Sequence, residues 1–293
     1  MKKIIRKLFE LLPDEIYLKA RYYYYFGKII NFDNVKTYNE KLQWLKLHMR
    51  NPAYSKYVDK VLVKEIMKKI IGNEYIIPTI EVWDSPDKVD FKHLPNKFVL
   101  KCNHNSGTGM FICKDKSKVD KNKILKLLKN GFEEDYYKYS REWPYKNVKR
   151  KIFAETLIED SSSCLDDYKV LCFHGKAKLI EYIHGLFTDE VIEQFYDTEW
   201  NKLPITQSTF GVANDYRISE PPKLLKKMIE LSEIISKQFI HARIDWYCSG
   251  GRLYFSEVTF YDGSGWIRFD NPDDDLKIGS WIDLEKYDDA KIK

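Results

Sequence analysis

The sequence lacks the short signatures that identify an enzyme class directly. It contains no GxxxxGK(S/T) phosphate loop, no GxSxG motif, no HxxxH pair and no CxxC pair. The first motif binds phosphate at a helix N-terminus, and the second positions a nucleophilic serine. The histidine and cysteine pairs ligate metals. A Walker-type nucleotide site and zinc sites of these patterns are therefore excluded, and no Cys/His triad signature takes their place.

Long hydrophobic runs and paired cysteines are also missing. The N-terminus is basic like that of a signal peptide, but Arg6, Lys7 and Glu10 interrupt its apolar run, so neither a cleavable signal nor a membrane span is predicted. The five cysteines form no disulfide framework and no metal pattern. A cytoplasmic protein in a reducing compartment is expected.

The first residues nevertheless have the pattern of an amphipathic helix. Apolar side chains recur at helical spacing between residues 4 and 12, with basic side chains between them. Two interpretations are open: a helix that lies on the anionic inner face of a membrane, or a helix packed on the body of the protein. Packing is favoured, and peripheral membrane contact is the alternative.

The charges are nearly balanced along the chain. The 293 residues include 49 basic and 44 acidic side chains, for a net charge of +5. Because the two signs are interspersed, nucleic acid is not expected as a partner, and anionic small molecules such as nucleotides or uronic sugars are favoured. The length fits one composite domain or two small ones.

The periodicity of the chain changes near Ile76. Residues 1–50 and 59–71 have helical patterns, whereas hairpin-like strands follow, without a regular βαβ alternation, which predicts an α+β fold. The predicted strands are residues 76–82, 97–103, 110–113, 151–158, 168–173 and 178–183, and the predicted helices are residues 121–138 and 222–240. Residues 273–293 are predicted to be a surface segment.

The first candidate site combines a lysine-bearing strand with a glycine-rich turn. Within residues 97–103, Lys97, Lys101 and Asn103 share one face, and a half-buried lysine requires an anionic partner. The Ser-Gly-Thr-Gly sequence of residues 106–109 follows, and its small side chains would let backbone amides approach a phosphate. An ordinary turn and a nucleotide clamp remain about equally supported.

The second candidate site is an acidic hairpin in residues 243–259. Two alternating strands flank a Ser-Gly-Gly turn. A three-residue loop would place Asp245 opposite Glu257, with Phe255 on the same face of its strand as Glu257. Two facing carboxylates repel unless a cation lies between them, and Mg²⁺ favours carboxylate and phosphate oxygens. Three interpretations are open: a metal site, one acid that faces solvent, and a slipped register that pairs Arg243 or Arg252 with an acid.

Two connecting segments are less specific. Residues 153–158 form a strand that ends in a turn, and Asp167 follows it; together they could bind a purine edge and ribose hydroxyls, although plain structure is favoured. Residues 141–147 surround a proline with aromatic and charged side chains, for which a surface turn is favoured over a substrate platform.

In this order the motifs resemble the ATP-grasp superfamily, and more narrowly its TupA-like branch, which is associated with teichuronopeptide synthesis and surface-polysaccharide gene clusters. The resemblance spans roughly residues 50 to 270. It rests on five stretches: residues 54–64, 94–107, 141–147, 167–176 and 243–260. It implies a helical N-terminal segment (residues 1–50) before an ATP-grasp domain (residues 51–293), whose subdomains would be residues 75–158 and 159–293.

The resemblance also implies roles for individual residues. Lys60 matches an early phosphate-binding lysine, and Lys101 matches the lysine that reaches the adenine and α-phosphate. The remaining nucleotide contacts implied are the flap residues Ser106, Gly107, Thr108 and Gly109, the adenine hinge at Glu155, Thr156 and Ile158, and the ribose acid Asp167.

The metal and catalytic roles fall on the second candidate site. Asp245 and Glu257 match the Mg²⁺ ligands, and Thr259 stands where many members have an asparagine ligand. Arg243 matches the basic residue near the transferred phosphoryl group, and Lys169 would be a further phosphate contact.

The implied activity is that of an ATP- and Mg²⁺-dependent carboxylate–amine ligase that forms an amide through an acyl phosphate. The resemblance points to a uronic acid of a capsule or other surface polysaccharide as the carboxylate, and to an amino acid or amine as its partner. Two alternatives are open: a glycosyltransferase, for which the run Asp273, Asp274, Asp275 could serve as a metal motif, and a non-catalytic module that binds nucleotide or glycan.

Overall fold

Two antiparallel sheets organise the chain, which a computed structural model describes at residues 9–159, 165–185, 191–207 and 220–288. The helices are α1 (Asp14–Phe26), α2 (Tyr38–His48), α3 (Ser55–Val58), α4 (Leu62–Ile71), α5 (Lys121–Glu133), α6 (Tyr136–Ser140), α7 (Leu225–Ser236) and α8 (Pro272–Ser280). The strands are β1 (Thr79–Trp83), β2 (Phe98–Cys102), β3 (Phe111–Cys113), β4 (Ile152–Glu155), β5 (Asp167–Phe173), β6 (Lys176–His184), β7 (Ile192–Tyr196), β8 (Lys202–Leu203), β9 (His241–Ser249) and β10 (Arg252–Thr259).

The first sheet has four strands in the order β1-β4-β2-β3. The alternation predicted for β2 is confirmed: Phe98, Leu100 and Cys102 belong to a buried hydrophobic cluster. That cluster includes Ile124 and Leu128 of α5, so the helix covers the apolar side of this sheet. Lys101 lies on the opposite side of β2.

The second sheet has six strands in the order β10-β9-β5-β6-β7-β8. Its apolar side packs on α7, where Met228 and Ile235 join the main core with Trp246 of β9. The indole Nε1 of Trp246 donates to Ser232 Oγ at 2.9 Å, which satisfies a buried donor. Because side chains alternate between the two faces of each strand, charged residues lie on the face of the sheet opposite to α7.

The two ends of the described chain pack on each other. Helix α2 begins with a capping box between Thr37 and Glu40, and its Asn39 is fully buried against Ile267. The prediction of a surface segment at residues 273–293 is wrong for α8 and the turn after it, because Ile278 and Ile282 lie in the core. Their apolar side chains supply the surface on which α2 packs.

The α+β class predicted from the pattern is confirmed. The helix predicted at residues 121–138 is instead two helices, because Asp135 caps the start of a new one at Lys138 N. Strands β7 and β8 were not predicted. Most of the helix predicted at residues 4–12 lies outside the described residues. Within the described residues, no helix is both long enough and apolar enough to cross a membrane.

Candidate functional site

Strand β10 changes the face that its side chains occupy, at Ser256. Phe255 is paired with Trp246 of β9 and is buried in the core. The next pair joins Glu257 to Asp245, which leaves Ser256 as an extra residue on β10. A bulge of this kind turns the following side chains to the opposite face. Glu257 therefore lies on the same side of the sheet as Asp245, away from the core.

The predicted pairing of Asp245 with Glu257 is confirmed, but the predicted reason for it is wrong. The turn has two residues, Gly250 and Gly251, with φ of 56° and 72°, rather than three. Positive φ at both positions is typical of a type I′ hairpin turn. The shorter turn and the bulge compensate each other in register. The common face predicted for the apolar and acidic residues of β10 is also wrong, because the bulge separates them.

Four charged side chains form a row across the second sheet. Lys169 of β5 is in register with Glu181 of β6 on one side and with Asp245 of β9 on the other, and Asp245 pairs with Glu257 of β10. Lys169 Nζ lies 2.8 Å from Glu181 Oε1. Directly paired residues share a face of the sheet, so the row forms one charged surface.

Arg243 bridges the two acids for which a metal role was predicted. Its Nη2 lies 2.6 Å from Asp245 Oδ2 and 3.6 Å from Glu257 Oε1, and its Nη1 donates to Asp262. Thr259 Oγ1 donates to Glu257 Oε1 at 3.3 Å. The guanidinium group supplies the positive charge that two facing carboxylates require.

The environments of the two carboxylates differ in their effect on protonation. Burial raises the pKa of Asp245 to about 6, against the opposing effect of the Arg243 charge. Burial also favours the neutral form of Glu257, but the charges of Lys60 and Arg243 outweigh it and lower the pKa of Glu257 to about 2. At neutral pH both groups can therefore present ionised oxygens to a cation.

The donor set of this face fits Mg²⁺. Asp245 and Glu257 offer carboxylate oxygens and Thr259 a hydroxyl oxygen, which are the hard ligands that Mg²⁺ prefers. No cluster of three or more His, Cys, Asp or Glu ligands occurs in the parts of the chain that the structure describes. A site with two carboxylates suits Mg²⁺ that is completed by phosphate oxygens and water. The guanidinium of Arg243 would have to move aside.

A second charged group lies on the first sheet around Glu155. This carboxylate is 3% exposed, and its two oxygens lie 2.5 Å from Lys101 Nζ and 2.5 Å from Lys64 Nζ. Lys60, from the turn before α4, lies 2.9 Å from Glu257 Oε2 in the other sheet. Lys60 and Lys101, both predicted to contact the nucleotide, are thus each held by an acid, Lys60 by Glu257 of the second sheet and Lys101 by Glu155 of the first.

The remaining hinge residues lie around a different cavity. Thr156 and Ile158 line a space of about 420 Å³ together with Arg252 and Tyr254. The backbone N–H of Thr156 donates to Pro78 O at 3.0 Å. The structure does not bring these two residues to the cavity that Arg243 lines.

Residues 106–109 form the loop between β2 and β3, and both of their glycines have positive φ, 84° and 67°. Thr108 Oγ1 is hydrogen-bonded to Glu134 Oε2. Gly109 packs so closely on α5 that a Cβ added to Gly131 would lie 2.5 Å from Gly109 Cα. The loop is therefore held against the end of α5 by a backbone contact and a side-chain contact.

Asp167 begins β5 in a buried position. It is 7% exposed, and its Oδ1 has no hydrogen-bond partner among the described residues. Burial, together with the charge of Asp245, raises the pKa of Asp167 to about 7. A buried carboxyl oxygen without a partner has a free acceptor site, which a ligand hydroxyl could fill.

One cavity collects residues from both candidate sites. Its volume is about 280 Å³. The predicted site residues that line it are Ser106, Lys169, Arg243, Glu257 and Thr259. The glycine loop of the first sheet and the charged face of the second sheet therefore meet at a single space.

The sequence interpretation missed several residues of these groups. Lys64 lies three and seven residues before Met67 and Ile71, on the buried face of α4, and a lysine at such a position requires an anionic partner, which is a signal that could have found it. Glu181 and Asp262 also line the cavity, but no motif marks either of them. The surface turn favoured for residues 141–147 is wrong in part, because Glu142 is 3% exposed.

Sequence comparison gives one family match and no curated relative. The model of the family described as TupA-like ATPgrasp matches residues 40–283. No curated protein matches the chain at a significant level.

Comparison with solved structures gives similarities of low identity. A D-alanine–D-alanine ligase from Bacillus anthracis complexed with ATP is 18% identical at a TM-score of 0.42, over 77% of this chain and 57% of that one. The ligase of the same name from Helicobacter pylori is 12% identical at a TM-score of 0.45, over 92% and 69%. An L-amino acid ligase from Bacillus licheniformis is 13% identical at a TM-score of 0.40, over 71% and 42%. The chain thus spans little more than half the length of the Bacillus anthracis ligase.

Proposed function

The chain belongs to the TupA-like ATP-grasp family, and from this premise we propose that it is an ATP-dependent carboxylate–amine ligase. The supporting observation is that Asp245 and Glu257 lie side by side on one face of the second sheet, with Arg243 between them. Lys169 and Ser106 line the cavity of about 280 Å³ that Arg243 and Glu257 also line. A triphosphate bound there would meet Lys169, Arg243 and Glu257, and Asp245 is the residue paired with Glu257 on the neighbouring strand.

The residues of the chain would share the work of phosphoryl transfer. Mg²⁺ held by Asp245 and Glu257, with Thr259 beside them, would offset charge on the β- and γ-phosphates. Arg243 and Lys169 would bind the transferred phosphoryl group, and residues 106–109 would cover it. Catalysis of this kind depends on position and electrostatics and requires no protein nucleophile.

The remaining nucleotide contacts are part of the same proposal. Lys60 and Lys101 would contact phosphates, and Asp167 would bind the ribose hydroxyls through its unpartnered oxygen. Glu155 positions Lys101, and Thr156 and Ile158 would lie beside the adenine. The two sheets would correspond to ATP-grasp subdomains at residues 75–158 and 159–293, preceded by the helical segment of residues 1–50.

The substrates are proposed on the association of the family with surface polysaccharides. A uronic acid would be converted to an acyl phosphate, and an amine or amino acid would then displace phosphate to form an amide. Consumption of ATP would place the activity in the cytoplasm. The basic N-terminal residues, of which 1–8 lie outside the described part of the chain, would allow contact with the inner membrane face.

The glycosyltransferase alternative loses its sequence support. The three aspartates considered for its metal motif fall in the first turn of α8, where Asp275 Oδ1 accepts a hydrogen bond from Asn39 N at 2.9 Å. Asp275 therefore joins two parts of the fold, and none of the three aspartates lines the cavity that contains Arg243.

The test is turnover by the purified chain with Mg²⁺-ATP, uronic sugars and a panel of amines and amino acids. We expect release of ADP and phosphate, and a product lighter by one water than its two substrates. Replacement of Asp245 and Glu257 together by Ala should abolish turnover, whereas the matched surface replacement of Glu65 and Glu230 by Ala should not, because both of those acids are exposed. UDP release from a sugar donor without ATP turnover would contradict the proposal. ATP binding without turnover on any pair would instead favour the non-catalytic module.

A further inference from the structure

Beyond the phosphate-binding residues, the cavity of about 280 Å³ has an aromatic and acidic end. Tyr136, Tyr145 and Tyr261 line it beside Glu142. The rings of Tyr136 and Tyr145 lie 4.6 Å apart between centroids. Glu142 Oε1 accepts hydrogen bonds from Tyr136 OH at 3.2 Å and from Ser264 Oγ at 2.7 Å. Tyrosine rings around a carboxylate provide an environment that favours the binding of a cation.

Ser264 links Glu142 to the buried Lys46 by hydrogen bonds to both side chains. Lys46 is fully buried and donates to Ser264 O at 2.8 Å and to Ser264 Oγ at 3.0 Å. Ser264 has a φ of 55°, a conformation that is unfavourable for a residue with a side chain. Burial raises the pKa of Glu142 and lowers the pKa of Lys46 to about 7. The serine thus connects a buried acid to a buried base and orients the acid.

The cations that line this cavity are already engaged by acids. Lys169 is paired with Glu181, and Arg243 is paired with Asp245 and Asp262. Among the described residues that line the cavity, these two are the cationic side chains. In the ligase proposed above, the same two cations would be directed at the phosphates, so a substrate carboxylate placed beside Glu142 would meet an acid and no available cation, which disfavours its binding.

We propose that Glu142 binds the nucleophilic substrate as an ammonium ion enclosed by the tyrosines, and that this substrate is an amine with no carboxylate next to its nitrogen. The proposal rests on the ligase function and narrows its acceptor from amines and amino acids to amines alone. A charge-assisted hydrogen bond to Glu142 and the faces of the rings would supply the affinity. The position of Glu142 in the Arg243 cavity would bring the nitrogen close to the acyl phosphate, and Glu142 would accept a proton from the ammonium so that the free amine attacks the acyl carbon and phosphate leaves.

Ethanolamine and L-serine form a matched pair of probes, because they differ only by the carboxylate. Calorimetric titration of the full chain, loaded with Mg²⁺ and a non-hydrolysable ATP analogue, should show binding of ethanolamine and at least roughly tenfold weaker binding of L-serine. Glu142→Gln keeps the shape of the side chain and should weaken ethanolamine binding by roughly tenfold or more. The control Glu230→Gln, on the exposed face of α7, should leave it unchanged.

Three results would overturn the proposal: L-serine binding as tightly as ethanolamine, unchanged ethanolamine affinity in Glu142→Gln, or no ethanolamine binding to a nucleotide-loaded chain. A Glu142→Gln chain that still binds the ATP analogue is folded, so its loss of ethanolamine would reflect the site. Failure of the unaltered chain to bind the analogue would contradict the ligase function instead. The same ethanolamine and L-serine titrations without nucleotide would then decide the present proposal separately.

Discussion

At the scale of single residues, buried charges lie in contact with charges of opposite sign. Glu155 forms ion pairs with both Lys64 and Lys101; an anionic partner for Lys101 was expected from its place on a half-buried strand, but its identity was not. Glu155 is paired in register with Val99, whereas the direct partner of Lys101 is Phe153, two residues before Glu155. Such a diagonal contact depends on strand order, which a single sequence does not reveal.

The Glu155 group predicts a large stability effect that depends on pH. Burial favours the neutral acid, but Lys101 and Lys64 lower the pKa of Glu155 to about 2, below the value of about 4.3 for an unfolded glutamate. Glu155→Gln should therefore lower the free energy of unfolding by about 3–5 kcal/mol at pH 7, because two cations lose their buried partner. Urea denaturation measures this difference.

Because the pKa of Glu155 is lowered in the folded chain, the pH range over which it stabilises the fold can be stated. An acid with a lowered pKa stabilises the fold above its unfolded pKa, and this contribution is lost as the pH falls toward the folded pKa. The difference between Glu155→Gln and the unaltered chain should therefore shrink from about pH 4.3 toward pH 2. The control Glu159→Gln breaks an exposed pair with Lys97 and should cost less than about 1 kcal/mol. Equal effects of the two variants would contradict the account.

For Asp167 we expect the opposite dependence of stability on pH. Its pKa is raised to about 7 by burial and by Asp245, so the unfolded state binds fewer protons than the folded state between about pH 4 and 7. The ionised carboxylate therefore reduces stability as pH rises through this window. Asp167→Asn should raise the thermal midpoint more at pH 8 than at pH 4, while it weakens ATP binding. A lower midpoint at pH 8 in differential scanning calorimetry would refute this.

At the scale of elements, the β9–β10 hairpin shows what a pattern can and cannot predict. Alternation and the glycines identified the hairpin, because those signals are local. The bulge at Ser256 was not visible, since a bulge is decided by which face of each strand the core requires. The pairing of Asp245 with Glu257 came out correctly only because the turn was one residue shorter than expected and the bulge restored the register.

The contact between the glycine loop and α5 gives a prediction at this scale. In an exposed helix Gly→Ala normally stabilises by up to about 1 kcal/mol. At Gly131 the added Cβ would lie 2.5 Å from Gly109 Cα, so Gly131→Ala should destabilise the chain and displace the loop. We expect a raised KM for Mg²⁺-ATP, measured by ADP release at saturating substrate.

A matched control is available on the same helix. Lys129 of α5 is exposed, and Lys129→Ala should leave the KM for Mg²⁺-ATP within about twofold, because surface substitutions rarely change stability by more than about 0.5 kcal/mol. An unchanged KM in Gly131→Ala would show that the position of the loop does not depend on this contact.

At the scale of the whole molecule, the cavity exists because two sheets and the chain ends meet around it. The motifs on β2 and on the β9–β10 hairpin were recognisable because their patterns are local, whereas β7 and β8 of the second sheet were not predicted. The packing of α2 on residues 262–282 joins segments more than 200 residues apart, and no periodicity encodes such a contact. For this reason the buried tail and the part of the cavity near Ser264 could not be predicted from the sequence.

Asn39 tests this long-range packing. It donates to Ile267 O at 2.9 Å and accepts from Ile267 N at 2.9 Å, and it is fully buried. Asn39→Ala should lower the free energy of unfolding by about 2–4 kcal/mol, since both backbone groups lose a partner, even though alanine favours the helix. The exposed Asn34→Ala should change it by less than about 0.5 kcal/mol. Guanidinium denaturation that showed equal values would contradict the proposed packing.

The central claim is that Asp245 and Glu257 bind one Mg²⁺ together with the phosphates of ATP. A crystal structure of the chain with Mg²⁺ and a non-hydrolysable ATP analogue tests it most directly. We predict a metal about 2.0–2.1 Å from a carboxylate oxygen of each acid and from phosphate oxygens, with the Arg243 guanidinium moved from between the acids toward the γ-phosphate. A nucleotide bound elsewhere, or one bound in this cavity with Arg243 still paired to Asp245 and no metal at the two acids, would contradict it.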